Sequence, residues 1–175
     1  MKELSLNILD VAKNSVTAGA TRIEITVDET PQRITIAIRD NGCGMTPEFV
    51  SRVTDPFTTT RTTRKVGMGL PLMKMEAQMS GGDLSIESTV GVGTTVTSWF
   101  DPQNIDMPPL GDLVSSIITL IQGSPDIDLC LPTKPAQAHT RWIPVRSVRS
   151  WGIFPSVSRR SLPGSPIISM KMNPT

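Results

Sequence analysis

The 175-residue chain has two cysteines, Cys43 and Cys130, and a single histidine, His139. Cysteines this sparse match no metal-ligand spacing and no disulfide framework, so a reducing cytoplasm is the expected compartment. No apolar run approaches the roughly 20 residues that a bilayer span requires. Met1-Lys2-Glu3 leads directly into an amphipathic segment rather than into a basic-then-apolar leader. A membrane is therefore not among the expected partners. Acidic residues are missing from one end only. All 16 Asp and Glu lie at or before Asp128, beside 10 of the 17 Lys and Arg, a net charge of −6. From Leu129 onward the remaining 7 Lys and Arg stand alone, a net +7.

The same C-terminal stretch holds 7 of the 15 prolines, many serines and no sustained hydrophobic period. Such a composition buries too little surface to offset its ordering entropy. Residues 129–175 are accordingly expected to form a disordered, basic, Pro/Ser-rich tail. The abrupt loss of acidic residues is also what a shifted reading frame would produce, and the genomic sequence decides between the two. A nucleic-acid partner for this tail is the minor reading and is not expected.

What is present before Asp128 is strongly patterned, and an apolar share of 38% is enough for a core. Leu4, Ile8, Val11, Ala12 and Ser15 recur at helical spacing, predicting a helix from about Glu3 to Ala18 stopped by Gly19. Ile23, Ile25 and Val27, then Ile34, Ile36 and Ile38, alternate as half-buried strands do, across the turn Glu29-Thr30-Pro31-Gln32. Thr46-Pro47-Glu48 opens a short helix. Leu70–Met79 reads as a second long helix stopped by Gly81-Gly82. Met68, just ahead of it, and Leu72, Met75 and Met79 within it form a stripe at helical spacing, expected to pack in the core. Leu84–Ser88 and Thr94–Phe100 are two more strands around Gly91-Val92-Gly93, and Asp112–Ile121 is a last helix. This order predicts an α/β two-layer sandwich, a mixed sheet covered on one face by helices. The expected division is a domain over 1–102, a helical extension over 103–128 and the tail.

Glycine signatures punctuate this pattern. Asp10 and Asn14 are one turn apart and share a helix face. An Asn carbonyl is a hard oxygen ligand suited to Mg²⁺, and a carboxylate one turn away can orient or deprotonate an attacking hydroxyl. A solvated polar face is the plainer explanation of an isolated pair of this kind. Asp40-Asn41-Gly42-Cys43-Gly44 follows a strand directly. A carboxylate there can accept the exocyclic amine of adenine, Gly42 and Gly44 let the backbone approach a base, and Met45 can touch it. A plain turn uses the same residues. Gly67-Met68-Gly69-Leu70 opens a helix whose free N–H groups favour phosphate. Upstream, Thr58, Thr59, Thr60, Arg61, Arg64 and Lys65 supply hydroxyls and positive charge in a loop able to close over a triphosphate.

These motifs, in this order, resemble the GHKL superfamily of ATP-binding domains found in gyrase, heat-shock chaperones, sensor histidine kinases and mismatch-repair MutL. The resemblance covers about residues 3–101. Asn14 to Thr21 is similar to a MutL segment, with Asn14 as the implied Mg²⁺ ligand. Asp40, Gly42 and Gly44 match the first glycine box. Asp55 to Arg61 and Gly67 to Leu72 resemble the lid and second glycine box of histidine kinases, and Gly91-Val92-Gly93-Thr94 the late glycine-threonine turn. The resemblance implies a Bergerat fold with ATP held between helices and sheet. Within the superfamily the chain resembles short stand-alone bacterial ATP-binding proteins.

Two departures shape the expected activity. ATPase members carry Glu where this chain has Asp10, and many histidine kinases carry Asn. There is no dimerising phosphoacceptor helix pair, and His139 lies in the tail. The resemblance thus favours a Mg-ATP-dependent kinase acting on His or Ser of a separate protein. An ATPase conformational switch and a non-catalytic nucleotide-binding module are the alternatives.

Overall fold

The computed structural model of the chain describes residues 3–54, 69–130 and 143–144. Helix α1 spans Leu4–Thr17, and Leu4, Ile8, Val11 and Ala12 form an apolar stripe turned inward, with Ser5, Asn7 and Ser15 also buried. Strands β1 (Arg22–Glu29) and β2 (Ile34–Asp40) follow as an antiparallel pair. Then come α2 (Pro47–Val50), α3 (Gly69–Met79), β3 (Asp83–Thr89), β4 (Gly93–Phe100), α4 (Leu113–Gly123), β5 (Asp128–Cys130) and β6 (Ile143–Pro144). Helix starts are chemically marked. Thr46 Oγ1 accepts the Phe49 N–H at 3.3 Å ahead of Pro47, capping α2. The Asp112 carboxylate accepts the Ser115 hydroxyl at 2.6 Å and its N–H at 2.9 Å. Those bonds hold the Asp112 carboxyl below its ordinary range.

Among the described residues the strands form one six-stranded sheet in the order β3-β4-β2-β1-β5-β6. All pairings are antiparallel except β1 with β5, which is parallel, so the sheet is mixed as the sequence pattern predicts. Register aligns the inward-facing residues into rows. Val27, Ile36, Ser98 and Leu84 make one row, and Ile25, Ile38, Val96 and Ile86 the next. The helices pack on these rows, α1 lying against both α3 and α4, and the buried cluster joins Leu4 and Ile8 of α1 to Ile36, Phe100, Met73 and Ile117. The architecture is the expected two-layer α/β sandwich.

Two expectations are corrected. The stripe assigned to the core on α3 is on its outer side: Met75 and Met79 are 49% and 56% exposed, while Met73 and Ala77 are fully buried. Met68 lies outside the described residues. Helix α3 carries two apolar rows with the same three-and-four spacing, and local pattern cannot choose between them. Its rotation is set by Gly69, where an added Cβ would lie 3.0 Å from the Asp10 Cβ, so the Gly69–Met73–Ala77 side meets α1. The second correction concerns the compositional break at Leu129. Leu129 and Cys130 pair with Ile23 and Glu24 of β1 and are buried, so the sheet continues past that break. Three residues are too few for an alternation to be legible.

Truncating Met73 to Ala is expected to cost about 2–5 kcal/mol of unfolding free energy, as buried large-to-small changes do. Met75→Ala is expected to stay within about 0.5 kcal/mol. Urea denaturation of the two variants measures both, and equal losses would return the core to the other stripe. Burial, reinforced by the Glu24 carboxylate, pushes the Cys130 thiol above its ordinary range, whereas Cys43 is exposed. A raised thiol pKa means less thiolate at a given pH. A thiol-reactive disulfide at pH 8 is therefore expected to modify one cysteine rapidly in the native chain and the second only in denaturant.

Candidate functional site

The next inward row of the sheet breaks the apolar pattern: Ile23, Asp40, Thr94 and Ser88 stand side by side. Asp40 follows Ile36 and Ile38 at the strand period of two, so its carboxylate enters the layer where α1 packs. There Ser15 Oγ of α1 donates to Asp40 Oδ2 at 2.6 Å. The Gly42 N–H donates to Oδ1 at 2.9 Å, and the Thr94 N–H, from the start of β4, to the same oxygen at 3.3 Å. Each carboxylate oxygen offers two lone-pair positions. Among the described residues Oδ1 receives two donors and Oδ2 one, so Oδ2 can accept one more.

The loop after Asp40 is fixed on both sides. Asn41 Oδ1 accepts the N–H groups of Thr21 at 3.0 Å and Arg22 at 2.8 Å, and its amide donates to Thr21 Oγ1 at 2.9 Å. The Cys43 N–H reaches the Ala18 carbonyl at 2.9 Å, and the Cys43 carbonyl accepts the Gly91 N–H at 2.8 Å. Gly44 has φ 68°, and a Cβ there would run into the Thr89 carbonyl. Only glycine permits both the left-handed backbone and that approach. The Met45 N–H donates to Ser88 Oγ at 2.8 Å, and Ser88 Oγ lies 2.8 Å from Thr94 Oγ1. The loop is thus clamped between the α1–β1 turn and the β3–β4 turn.

Asp10 and Asn14, both half-buried, lie on α1 beside this loop, since Ser15 binds Asp40 directly. Gly69, at the start of α3, approaches Asp10 closely: an added Cβ would lie 3.0 Å from the Asp10 Cβ, a tight contact that the Asp10 side chain would have to relieve by a small shift. The first amides of α3, including that of Leu70, therefore begin next to Asp10, at the end of the helix where N–H groups lack intrahelical partners. The Leu70 side chain is buried in the core. Among the described residues no cluster of three His, Cys, Asp or Glu is placed to hold a metal. The Asn14 amide carbonyl is a hard oxygen of the kind that would suit Mg²⁺, an ion that completes its shell with phosphate and water.

The structure therefore brings Asp10, Asn14, Asp40, Gly42, Gly44, Met45, Gly69, Leu70 and Thr94 to one edge of the sandwich. Thr59, Thr60, Arg61, Lys65, Gly67 and Met68 lie outside the described residues. Three residues of the site went unmarked in the sequence: Ser15, Asn41 and Ser88. Ser15 reads as one more member of a helix stripe, and its role appears only when β2 packs on α1. Ser88 acquires its role through the β3–β4 register.

A model of the histidine kinase-, DNA gyrase B- and HSP90-like ATPase family matches residues 1–104. The chain belongs to this family, and its N-terminal part is an ATP-binding domain of the histidine-kinase type. It is 31% identical over 101 residues to the histidine protein kinase DivJ of Caulobacter vibrioides, covering 55% of this chain and 17% of that protein. It is 33% identical over 100 residues to the sensor protein SrrB of Staphylococcus aureus, covering 54% and 17%. The chain thus spans less than a fifth of the length of these relatives. Among solved structures, the catalytic domain of the histidine kinase ThkA superposes with a TM-score of 0.45 at 21% identity, over 55% of this chain and 64% of that one. Among the described residues no helix is long and apolar enough to cross a membrane.

Ser15→Ala removes one of the donors to Asp40 and is expected to lower unfolding free energy by about 1–3 kcal/mol, as losing a bond to a part-buried charged group does. Thermal or urea unfolding reads the loss. A Ser15→Ala chain as stable as the parent would show that the hydroxyl does not support the carboxylate.

Proposed function

We propose that the chain binds Mg-ATP at the Asp40–Asn14 edge and phosphorylates a separate protein in the cytoplasm. One observation carries the nucleotide reading: Ser15, the residue next to Asn14, bonds the Asp40 carboxylate and sets it as an acceptor suited to an adenine amine. Adenine would donate to the remaining position on Asp40 Oδ2, and the phosphates would run along α1 toward the start of α3. Bound there, Mg²⁺ would neutralise phosphate charge, with Asn14 as its protein ligand. Asp10 would accept the proton of the incoming hydroxyl or imidazole. The nucleophile forms a bond to the γ-phosphorus, the bond from that phosphorus to the β–γ bridging oxygen breaks, and ADP leaves. The identity shared with the histidine protein kinase DivJ supports transfer to a protein over transfer to water.

A second reading is an ATPase switch, supported by the half-buried Asp10 carboxylate against Gly69, where a water would be activated in place of a protein nucleophile. In this proposal residues 1–102 are the ATP-binding domain, and residues 103–128 are an extension that packs on it.

The full chain incubated with Mg²⁺ and γ-labelled ATP, with and without cell extract, tests both. Label on another protein is expected, and free phosphate alone would favour the switch. Asp40→Asn exchanges an acceptor for a donor and is expected to weaken ATP binding about 10- to 100-fold, the worth of a hydrogen bond to a charged group. Asp10→Ala is expected to leave binding within about threefold while reducing transfer at least about 100-fold, the usual scale of general-base catalysis. Binding by Asp40→Asn equal to the parent would overturn the site assignment.

A further inference from the structure

Beneath the site, one turn toward the start of α1, lies a polar pair that the proposed chemistry does not use. Asn7 is 0% exposed and Glu76 is 8% exposed. The Asn7 side-chain amide donates to Glu76 Oε2 across the α1–α3 contact. Asn7 Oδ1 is buried without a hydrogen-bond partner among the described residues. An amide and a carboxyl buried between helices cost desolvation that two apolar side chains would avoid. What such a pair supplies is direction: apolar contacts tolerate sliding, whereas a hydrogen bond sets the register of one helix on the other.

The register it sets is that of the site. Asn7 precedes Asp10 and Asn14 by three and seven residues, and three and seven residues bring a side chain back to the same helix face. Glu76 follows Gly69 by seven, so its side chain falls on the face of α3 that meets Asp10. The two cross-helix contacts, Gly69 with Asp10 and Glu76 with Asn7, are successive rungs between the same helices. The first is a close approach that glycine allows, and the second a directional tie. At the other side of the site Asp40 is held by Ser15, Gly42 and Thr94, none of which belongs to α3.

We propose that Asn7 and Glu76 are positioning residues that hold the start of α3 at the correct distance from Asn14 and Asp10, and so govern affinity for the Mg-phosphate part of ATP without affecting adenine. This rests on the nucleotide reading above. Loosening the tie lets the α3 amides drift from Asn14 while the Asp40 network stays intact.

The test measures dissociation constants of the full chain for ATP with Mg²⁺, ATP with EDTA, and adenosine. Asn7→Ala combined with Glu76→Leu removes the bond while roughly conserving summed volume, and Asn7→Ser is a milder second variant that shortens the side chain out of reach. Both are expected to lose about tenfold in ATP affinity with Mg²⁺, the scale set by small misplacements and by supporting residues of metal sites. Adenosine affinity should change less than about twofold, a difference that plain destabilisation would not produce. Glu76→Gln keeps an acceptor for Asn7 and is expected to retain the parent's values. Equal losses for ATP and adenosine, or unchanged Mg-dependent affinity in folded Asn7→Ser, would overturn the proposal. A parent chain that binds neither ATP nor adenosine would instead sink the nucleotide reading itself, and this inference with it.

Discussion

The Asp40 carboxylate is the point on which the sandwich turns. Its donors come from α1, from the loop after β2 and from β4, so three segments distant in sequence converge on two oxygen atoms. A part-buried carboxylate left without donors is costly, and this arrangement supplies them while leaving one acceptor position open. The rest of the edge follows. Ser15 can reach Asp40 only if α1 lies over the end of β2, and that placement brings Asn14 and Asp10 with it. Thr94 can reach it only in the observed β2–β4 register, and the β3–β4 register then sets Ser88 beside Thr94 and against Met45.

The sheet shows how an apolar layer becomes a polar site without changing architecture. Two inward rows are filled with Ile, Val and Leu apart from Ser98, and the third is Ile23, Asp40, Thr94 and Ser88. The strands keep their period of two throughout, so the polar row points to the same face as the core rows. Helix α1 spans both regimes, with Leu4 and Ile8 over the apolar rows and Asn14 and Ser15 over the polar one. On α3 the same change runs from Met73 and Ala77 in the core to Gly69 against Asp10.

Residues beyond the matched ATPase region add to this core rather than hanging from it. Ile117, Leu120 and Ile121 of α4 are buried with α1, and Leu129 and Cys130 of β5 extend the sheet beside β1. The parallel strand pairs with Arg22, Ile23 and Glu24 on the side of β1 opposite β2, giving the backbone groups of that end partners and shortening the sheet edge there. Helix α1 is thus packed from two sides, by α3 toward the site and by α4 away from it.

Much of this was legible from residues alone, because local chemistry set it. Alternating isoleucines defined β1 and β2, Thr46-Pro47 and Asp112 marked helix starts, and Gly42, Gly44 and Asp40 marked a loop able to approach a base. Such features depend on periods and caps within a few residues, and a chain carries them whatever it packs against. Other features needed the assembled molecule. Which of two equally spaced stripes on α3 is buried was decided by the close approach of Gly69 to Asp10. That Leu129 and Cys130 form a strand was decided by β1, which supplies their partners. Ser15 as the donor to Asp40, and Asn7 as the donor to Glu76, join residues that are remote in sequence. A hydroxyl or an amide in a helix stripe has no local signature of its partner, since the partner is chosen by how helices and sheet stack.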